Sequence, residues 1–525
     1  MSFDNIAILL TIVALLAFVL RPKTRYPLPP GPQADLVLGH LRIFPSDNEG
    51  IVFHEWAQQY GDVVYVKVPG RSVIILDSVE AATDLMEKRS AIYSDRPVFT
   101  VLELVGFLPD LGFLPYGKRF QKHRRMMQSS LTQDACIPWR DAQTVYARQL
   151  ANNLAGTSSG HESHMSWFTT ALIVKVAYGF DIESKEDEYV QLAEKNEFIL
   201  NNCGTPGGTM VDFFPFCKNC RWLLCLAHQI DPLQVQHFPS WFPGTHYANF
   251  ARKWRWVIRR LYDMPYERVR QAIDNGDDTP SLVAHHIKKL DAQAEVTEDD
   301  IEDVKSIGAV AFAAGAETTA STLMVFLLAM TLHPEHQRRA QAEIDEVVGE
   351  DRLPEFEDRK SLPFVECLVQ EVLRWHPVVP LGVPHRCMEN NIYKGMLIPK
   401  GSLVIANAQG MALNENVYDK PTEFNPLRYF SAPEGAEEPF FQAVFGFGRR
   451  ICPGRHLALA SAWIAITTIL AACYVSRAID EDGKEIEVKI EFLNGLTSRP
   501  KPFPCRVVAR SERKAQLLNS SAAPA

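Results

Sequence analysis

Residues 445–454 read FGFGRRICPG, and an apolar run, RHLALASAWIAITTILAACYV (455–475), follows at once. A single cysteine, Cys452, therefore sits on a glycine-rich loop at the mouth of a candidate helix. A lone cysteine is ordinarily a small buried hydrophobe, and the other nine of the ten cysteines read that way. Three neighbours set Cys452 apart. Gly446 and Gly448 let the backbone bend tightly and approach a flat partner. The following helix aims its N-terminal dipole and free N–H groups at the sulfur, which favours a thiolate. Arg450 offers a planar fork suited to a carboxylate. A thiolate beside a flat, carboxylate-bearing partner describes the proximal ligand of haem. No second cysteine stands at iron–sulfur or zinc spacing around it.

The rest of the chain bounds this reading. Of 525 residues, 46% are hydrophobic and 22% charged, enough for a large core and against global disorder. A net charge of −9 argues against nucleic-acid binding as a main role. The length suits about three domains or one large one. The cysteines are sparse and irregularly spaced, unlike a disulfide scaffold, so the compartment reads as reducing.

At the N-terminus, IAILLTIVALLAFVL (Ile6 to Leu20) is followed directly by Arg21, Lys23 and Arg25. That polarity opposes a cleaved signal peptide and predicts a membrane anchor over residues 1–25 with its C-terminal side cytosolic. Residues 26–33, YPLPPGPQ, read as a stiff hinge, 34–510 as the catalytic domain and 511–525 as a loose tail. DVVYVKVPGRSVIILDS (62–78) predicts a hairpin. Helical patterning dominates from about 79 to 390, and strand-like pieces return near 391–407 and 487–508. The longest helix candidate runs from Glu298 to Leu332, capped by Thr297 with Asp300 in the capping-box position and stopped at His333-Pro334.

The pattern Phe445-x-x-Gly448-x-Arg450-x-Cys452-x-Gly454 resembles the haem-binding loop of the cytochrome P450 family. The resemblance implies a mainly α fold with a small β lobe (α+β), haem b (iron protoporphyrin IX) as cofactor and Cys452 as the axial ligand of its iron. AGAETT (Ala314 to Thr319) places a glycine and an acid–hydroxyl pair inside an apolar helix, at a cost in propensity and desolvation. One reading is a threonine back-bonded to the preceding turn with a glutamate facing a loop. The resemblance implies an oxygen-activating helix instead, in which Ala314 and Gly315 leave room for dioxygen while Thr318 and Glu317 relay protons.

EVLR (Glu371 to Arg374) is one of three Glu-x-x-Arg sequences, with those at Glu267 and Glu335, and surface ion pairs are their common explanation. The resemblance implies that Glu371, Arg374 and Arg428, the last in FNPLRYF (424–430), form a buried network supporting the cysteine loop. In YGKRFQKHRRMMQ (116–128) it implies a propionate contact for Arg124, where Phe120 takes the place of the family's tryptophan and lacks its N–H donor. His385 would contact the other propionate side. Lys118, Lys122, Arg124, Arg125, Arg449 and Arg455 would make a basic patch on the cysteine side for an acidic flavoprotein reductase. CKNCRWLLCLAH (217–228) superficially suggests zinc, but no metal-domain pattern surrounds it. In similar fungal sequences VDFFPF runs almost directly into FPSWFPG, so 217–236 reads as an insertion or a retained intron.

Together these features describe a haem-thiolate monooxygenase resembling fungal microsomal members. It would be anchored as a single-pass protein of the endoplasmic reticulum, facing the cytosol, and would draw electrons from NADPH and flavins through NADPH-cytochrome P450 reductase. It would insert one oxygen atom from O2 into a lipophilic substrate, by hydroxylation or epoxidation, in fungal secondary or xenobiotic metabolism. Apolar stretches expected to line its pocket are Phe99 to Phe113, Phe312 with Ala316, Val379 to Val383 and Leu493 to Leu496. Two rivals are a haem-thiolate isomerase or dehydratase that uses no O2, against which the Glu317-Thr318 pair speaks, and a non-catalytic tethered haem or lipid binder.

Overall fold

The computed structural model describes residues 26–203 and 245–521, apart from 69, 158, 159, 183 and 185. The anchor at 1–25 and the segment 217–236 lie outside the described residues. Helix α1 (Glu49–Tyr60) packs beside the antiparallel hairpin β1 (Val63–Val68) and β2 (Arg71–Leu76). The hairpin has the expected register, and Gly70 in its turn takes φ +77°. Both faces of the hairpin are covered. Val64, Val66, Val73 and Ile75 join Phe53 of α1, while Val63, Ile74 and Leu76 pack with Tyr93 and Met411. Period-two alternation thus divides one β-branched run between two small cores.

The helical body follows: α2 (Lys118–Leu131), α3 (Arg140–Ala155), α4 (His161–Tyr178), α5 (Glu188–Asn202), α6 (Thr245–Asp274), α7 (Leu282–Asp291), α8 (Glu298–Leu332), α9 (Pro334–Val347) and α10 (Pro363–Trp375). Strands β3 (His385–Arg386), β4 (Asn391–Tyr393), β5 (Met396–Ile398) and β6 (Leu403–Ala406) come next, then α11 (Arg455–Ala472), β7 (Cys473–Arg477), β8 (Cys505–Ala509) and α12 (Glu512–Ser521). The main sheet has the order β1-β2-β6-β3, with β6 parallel to β2 and antiparallel to β3. The helical body lies between β2 and β6 in sequence, so the sheet joins segments far apart in the chain.

α8 organises the body. The Thr297 hydroxyl accepts from the Asp300 N–H at 3.2 Å, and the Asp300 carboxylate accepts from the Thr297 N–H at 3.1 Å. Pro334 opens α9 and ends α8, because proline cannot donate to the preceding turn. A Cβ on Gly308 would lie 2.6 Å from Val283, and one on Gly315 would lie 2.8 Å from Ile173, so these glycines let α8 approach α7 and α4 closely. Among the described residues, α8 and α11 are the helices long and apolar enough to cross a membrane, and both bury most of that stretch in the domain.

Three expectations need correction. Residues 26–33 are no free hinge: Pro27 and Pro30 accept backbone bonds from Leu397 and Tyr65, and a side chain on Gly31 would strike the Tyr65 carbonyl. Most of the tail is α12, whose Leu518 is fully buried and whose Lys514 donates to the Gly349 carbonyl at 3.0 Å. Finally, the strand near 487–508 is confined to Cys505–Ala509, and its partner β7 ends the apolar run that continues from α11. An apolar run alone does not distinguish helix from buried strand.

Candidate active site

Short 3₁₀ turns bring the loop from Ala443 to Gly454 across the end of α11. The Cys452 N–H donates to the Phe445 carbonyl at 2.8 Å, and the Arg124 guanidinium donates to the Ile451 carbonyl. Gly448 has φ +55°, and a Cβ there would fall on the Met86 carbonyl oxygen. Its close approach is therefore to protein backbone, not to a flat ligand as the sequence suggested. Gly446 does line the cavity. Burial pushes the Cys452 thiol up. The Gly454 N–H, the Arg124 and Arg455 charges and the Arg455 N–H all act in the opposite sense. Donors expected at the helix mouth are thus present, but burial outweighs them and the thiol stays raised.

Phe445 and Cys452 form one wall of a cavity whose other side is α8, through Val310, Ala314, Glu317 and Thr318. Ala314 is exposed where Ala313 and Ala316 are buried, because it faces this space. Thr318 also lines it, and its hydroxyl donates back to the Ala314 carbonyl at 2.8 Å. The back-bonded reading of the threonine and its place in the wall therefore both hold. Gly315 is not in the wall; it turns toward Ile173 on α4, roughly 100° around the helix from Ala314. Phe312 and Ala316 also point away: Phe312 packs edge-on against Tyr178 and Tyr189, and the Ala316 carbonyl accepts from Thr169. Phe107, Phe113, Val379, Val383 and Leu496 line the cavity within the expected stretches.

The polar end of the cavity gathers Arg96, Arg450 and His385, with the Asp110 carboxyl beside them. Arg450 donates to the carbonyls of Ser94 (2.7 Å), Leu114 (2.7 Å) and Leu111 (3.2 Å). Its guanidinium lies 3.6 Å from the centroid of the Phe120 ring, so the phenyl group supplies a stacking platform where no indole donor exists. Arg96 donates to the Gly112 and Pro384 carbonyls at 2.9 Å each. His385 is buried and bonds the Tyr93 carbonyl at 2.7 Å.

Burial pushes the Arg450 guanidinium down to about 9 against the pull of Asp95, and the Arg124 charge adds to the fall. Arg96 is depressed by burial and then by Arg450, and His385 by burial and then by Arg96. Asp95 and Asp110 offset only part of this, and guanidinium groups this close call for further anionic partners. The two carboxylates of haem, with Cys452 on one side and the clearance at Ala314 on the other, meet that requirement. Arg96 was not singled out in the sequence; no local spacing marks it, and only folding carries it to residues 383–385.

The supporting network is buried completely. Arg374 donates to both oxygens of Glu371, at 2.7 and 2.8 Å. The same carboxylate accepts from Arg428 (3.1 Å), the Asn425 N–H (2.9 Å) and Tyr429 (2.9 Å). Arg428 also pairs with Glu438 at 2.6 Å. By contrast Arg270 pairs with Asp291 at the surface, and Glu335 lies 56% exposed. Of the basic patch, Lys118, Arg125 and Arg449 are exposed, but Lys122 is bound to Asp300 and Asp303, and Arg124 turns inward.

The Cytochrome P450 family profile matches residues 29–504. Cytochrome P450 monooxygenase 136 of Postia placenta is 36% identical over 510 residues, covering 96% of this chain and 93% of the relative. Cytochrome P450 monooxygenase COX2 of Coprinopsis cinerea is 36% identical over 500 residues, covering 94% and 91%. A cytochrome P450 monooxygenase of Armillaria gallica is 33% identical over 526 residues, covering 99% of each chain. With a family match across nearly the whole chain and relatives at this identity, the protein belongs to the cytochrome P450 family and is a monooxygenase of that family.

Proposed function

We propose that the protein is a membrane-anchored haem-thiolate monooxygenase that oxygenates a lipophilic small molecule, with electrons from NADPH-cytochrome P450 reductase. The observation that carries this is the cavity itself, with Cys452 on one wall, Ala314 and Thr318 opposite, and the Arg96 and Arg450 guanidinium groups at one end. Haem b, when bound there, supplies activation of dioxygen. Cys452 would hold the iron, with the Gly454 and Arg455 N–H groups supporting the sulfur's charge. Arg96, Arg124, Arg450 and His385 would hold the carboxylates. Thr318 and Glu317 would move protons on the oxygen side, and Ala314 provides clearance. Phe107, Phe113, Val379 and Leu496 exclude water and favour an apolar substrate.

Lys118, Arg125 and Arg449 support docking of an acidic reductase, since a basic patch on an acidic protein steers such a partner. The run Ile6–Leu20 with its basic flank supports a single-pass anchor in the endoplasmic reticulum with the domain cytosolic. Fungal relatives support a role in fungal secondary or xenobiotic metabolism. The test is reconstitution with the reductase, NADPH and a panel of lipophilic compounds under isotopically labelled O2. A product carrying one labelled oxygen is expected. NADPH consumption at background across the panel would refute the proposal and favour a tethered binder.

A further inference from the structure

Glu317 does not end its interactions at the cavity. Its carboxylate accepts from Asn201 on α5 at 3.1 Å and from the Thr497 hydroxyl. The Thr497 N–H in turn donates to the Asn201 side-chain oxygen at 3.2 Å, and the Thr497 hydroxyl oxygen lies 3.1 Å from the same atom. One turn back on α5, Glu197 pairs with Arg499 at 2.7 Å, and the other arm of Arg499 pairs with Glu162 on α4. Exposure rises along this series, from Glu317, which is buried, through Glu197 (18%) to Glu162 (40%). Gly495 permits it, because a Cβ there would collide with Asn201.

A latch that merely pinned residues 493–499 onto α5 would need one carboxylate for Arg499. Here Glu162, Glu197 and Glu317 gather around one arginine, with Glu194 also near Glu197. Like charges in a poorly solvated site cannot all ionise, so a proton remains within the cluster. We propose that Glu197 is the proton store that replenishes Glu317, linking bulk solvent to the oxygen side of the cavity. This rests on the proton-relay reading of Glu317 and Thr318. Glu197 and Glu317 share no direct hydrogen bond, so the proton crosses on a water molecule. Glu197 is left as a carboxylate held by Arg499, Glu317 becomes protonated, and Glu197 regains its proton from solvent at its exposed edge. Burial first, and then the Glu317 charge, push the Glu197 carboxyl up to about 7 against the pull of Arg499, which suits exchange near neutrality.

The test uses the resting holoenzyme and Glu197→Gln. Infrared difference titration should show a protonated carboxyl losing its proton near neutral pH in the wild type and not in the variant. The variant should keep haem, while product per NADPH falls on the order of tenfold, short of the ~hundredfold contributed by a positioned acid itself. Peroxide should account for the difference. Glu335→Gln, at an exposed position outside the cluster, should match the wild type. If Glu197→Gln fails to fold, Glu197→Asp serves, with an expected displacement of the pH profile for product per NADPH. A carboxyl band that persists in Glu197→Gln, or a Glu197→Asp profile identical to the wild type, overturns the proposal. Full coupling in Glu197→Gln while Glu317→Gln uncouples also overturns it, leaving the relay reading intact. Full coupling in both Glu317→Gln and Thr318→Ala removes that reading and the proposal with it.

Discussion

Replacing Glu371 with Gln probes the support beneath the cysteine loop. Five donors converge on that carboxylate: Nε and Nη2 of Arg374, Nε of Arg428, the Asn425 N–H and the Tyr429 hydroxyl. Glutamine keeps one acceptor oxygen, turns an NH2 group toward donors, leaves the buried Arg374 guanidinium without its counter-charge and leaves Arg428 with Glu438 alone. Breaking one side of a buried pair costs about 3–5 kcal/mol. With about 2 cal/mol/K of unfolding entropy per residue, a domain spanning 29–504 carries on the order of 1 kcal/mol/K, so Tm should drop by about 3–5 °C. Arg428 and Tyr429 also tie the segment leading to Ala443, so the haem content of purified protein should fall sharply. Differential scanning calorimetry and haem quantitation per mole of protein measure the two effects. Glu335→Gln, in an exposed Glu-x-x-Arg sequence, should stay within about 0.5 kcal/mol of the wild type. Equal shifts for Glu371→Gln and Glu335→Gln would refute the argument.

Other perturbations separate local from long-range roles. Gly448→Ala meets both a left-handed φ, worth about 1–2 kcal/mol, and the Met86 carbonyl. It should therefore lose more haem and thermal stability than Gly446→Ala, which also carries a positive φ (+73°) but meets no atom within 4 Å. Gly315→Ala should be tolerated once Ile173→Ala removes the Cγ1 and Cδ1 atoms it would strike, with product per NADPH unchanged; uncoupling of oxygen in that double variant would return Gly315 to the oxygen site. Burial pushes the Asp303 carboxyl up, but bonds from His123, Lys122 and Arg119 outweigh it and hold the group well below the usual carboxylate range. Its stabilisation is complete above the unfolded value near ~4 and is lost as pH falls through the lower folded value. The Tm gap between wild type and Asp303→Asn should be full at neutral pH and shrink below pH ~4. A pH-independent gap would contradict this.

What was legible in the sequence was local. The Thr297–Asp300 capping box, the stop at Pro334 and the cysteine loop are each encoded within a few residues, and all three occur as expected. Gly315 and Gly448 were recognised as necessary but their reasons were misread, because the neighbour that a missing Cβ would strike belongs to α4 or to residue 86. Arg96 and the Glu197–Arg499 pair gave no local signal, since folding brings together groups up to about 300 residues apart. The segments at 26–33 and 511–525 read by composition as a stiff hinge and a loose tail. Leu517 and Leu518 were the sign that the latter could dock, and the backbone bonds of Pro27 and Pro30 have no sequence signature.

The most direct test of the central assignment is the reduced carbon-monoxide spectrum of Cys452→Ser beside the wild type. The wild type should show the red-shifted band of a thiolate-ligated haem. The variant should lose that band while the protein remains folded, because hydroxyl oxygen replaces the sulfur at the mouth of α11. An unchanged spectrum in Cys452→Ser would mean that the iron is held elsewhere and that the cavity has been misassigned.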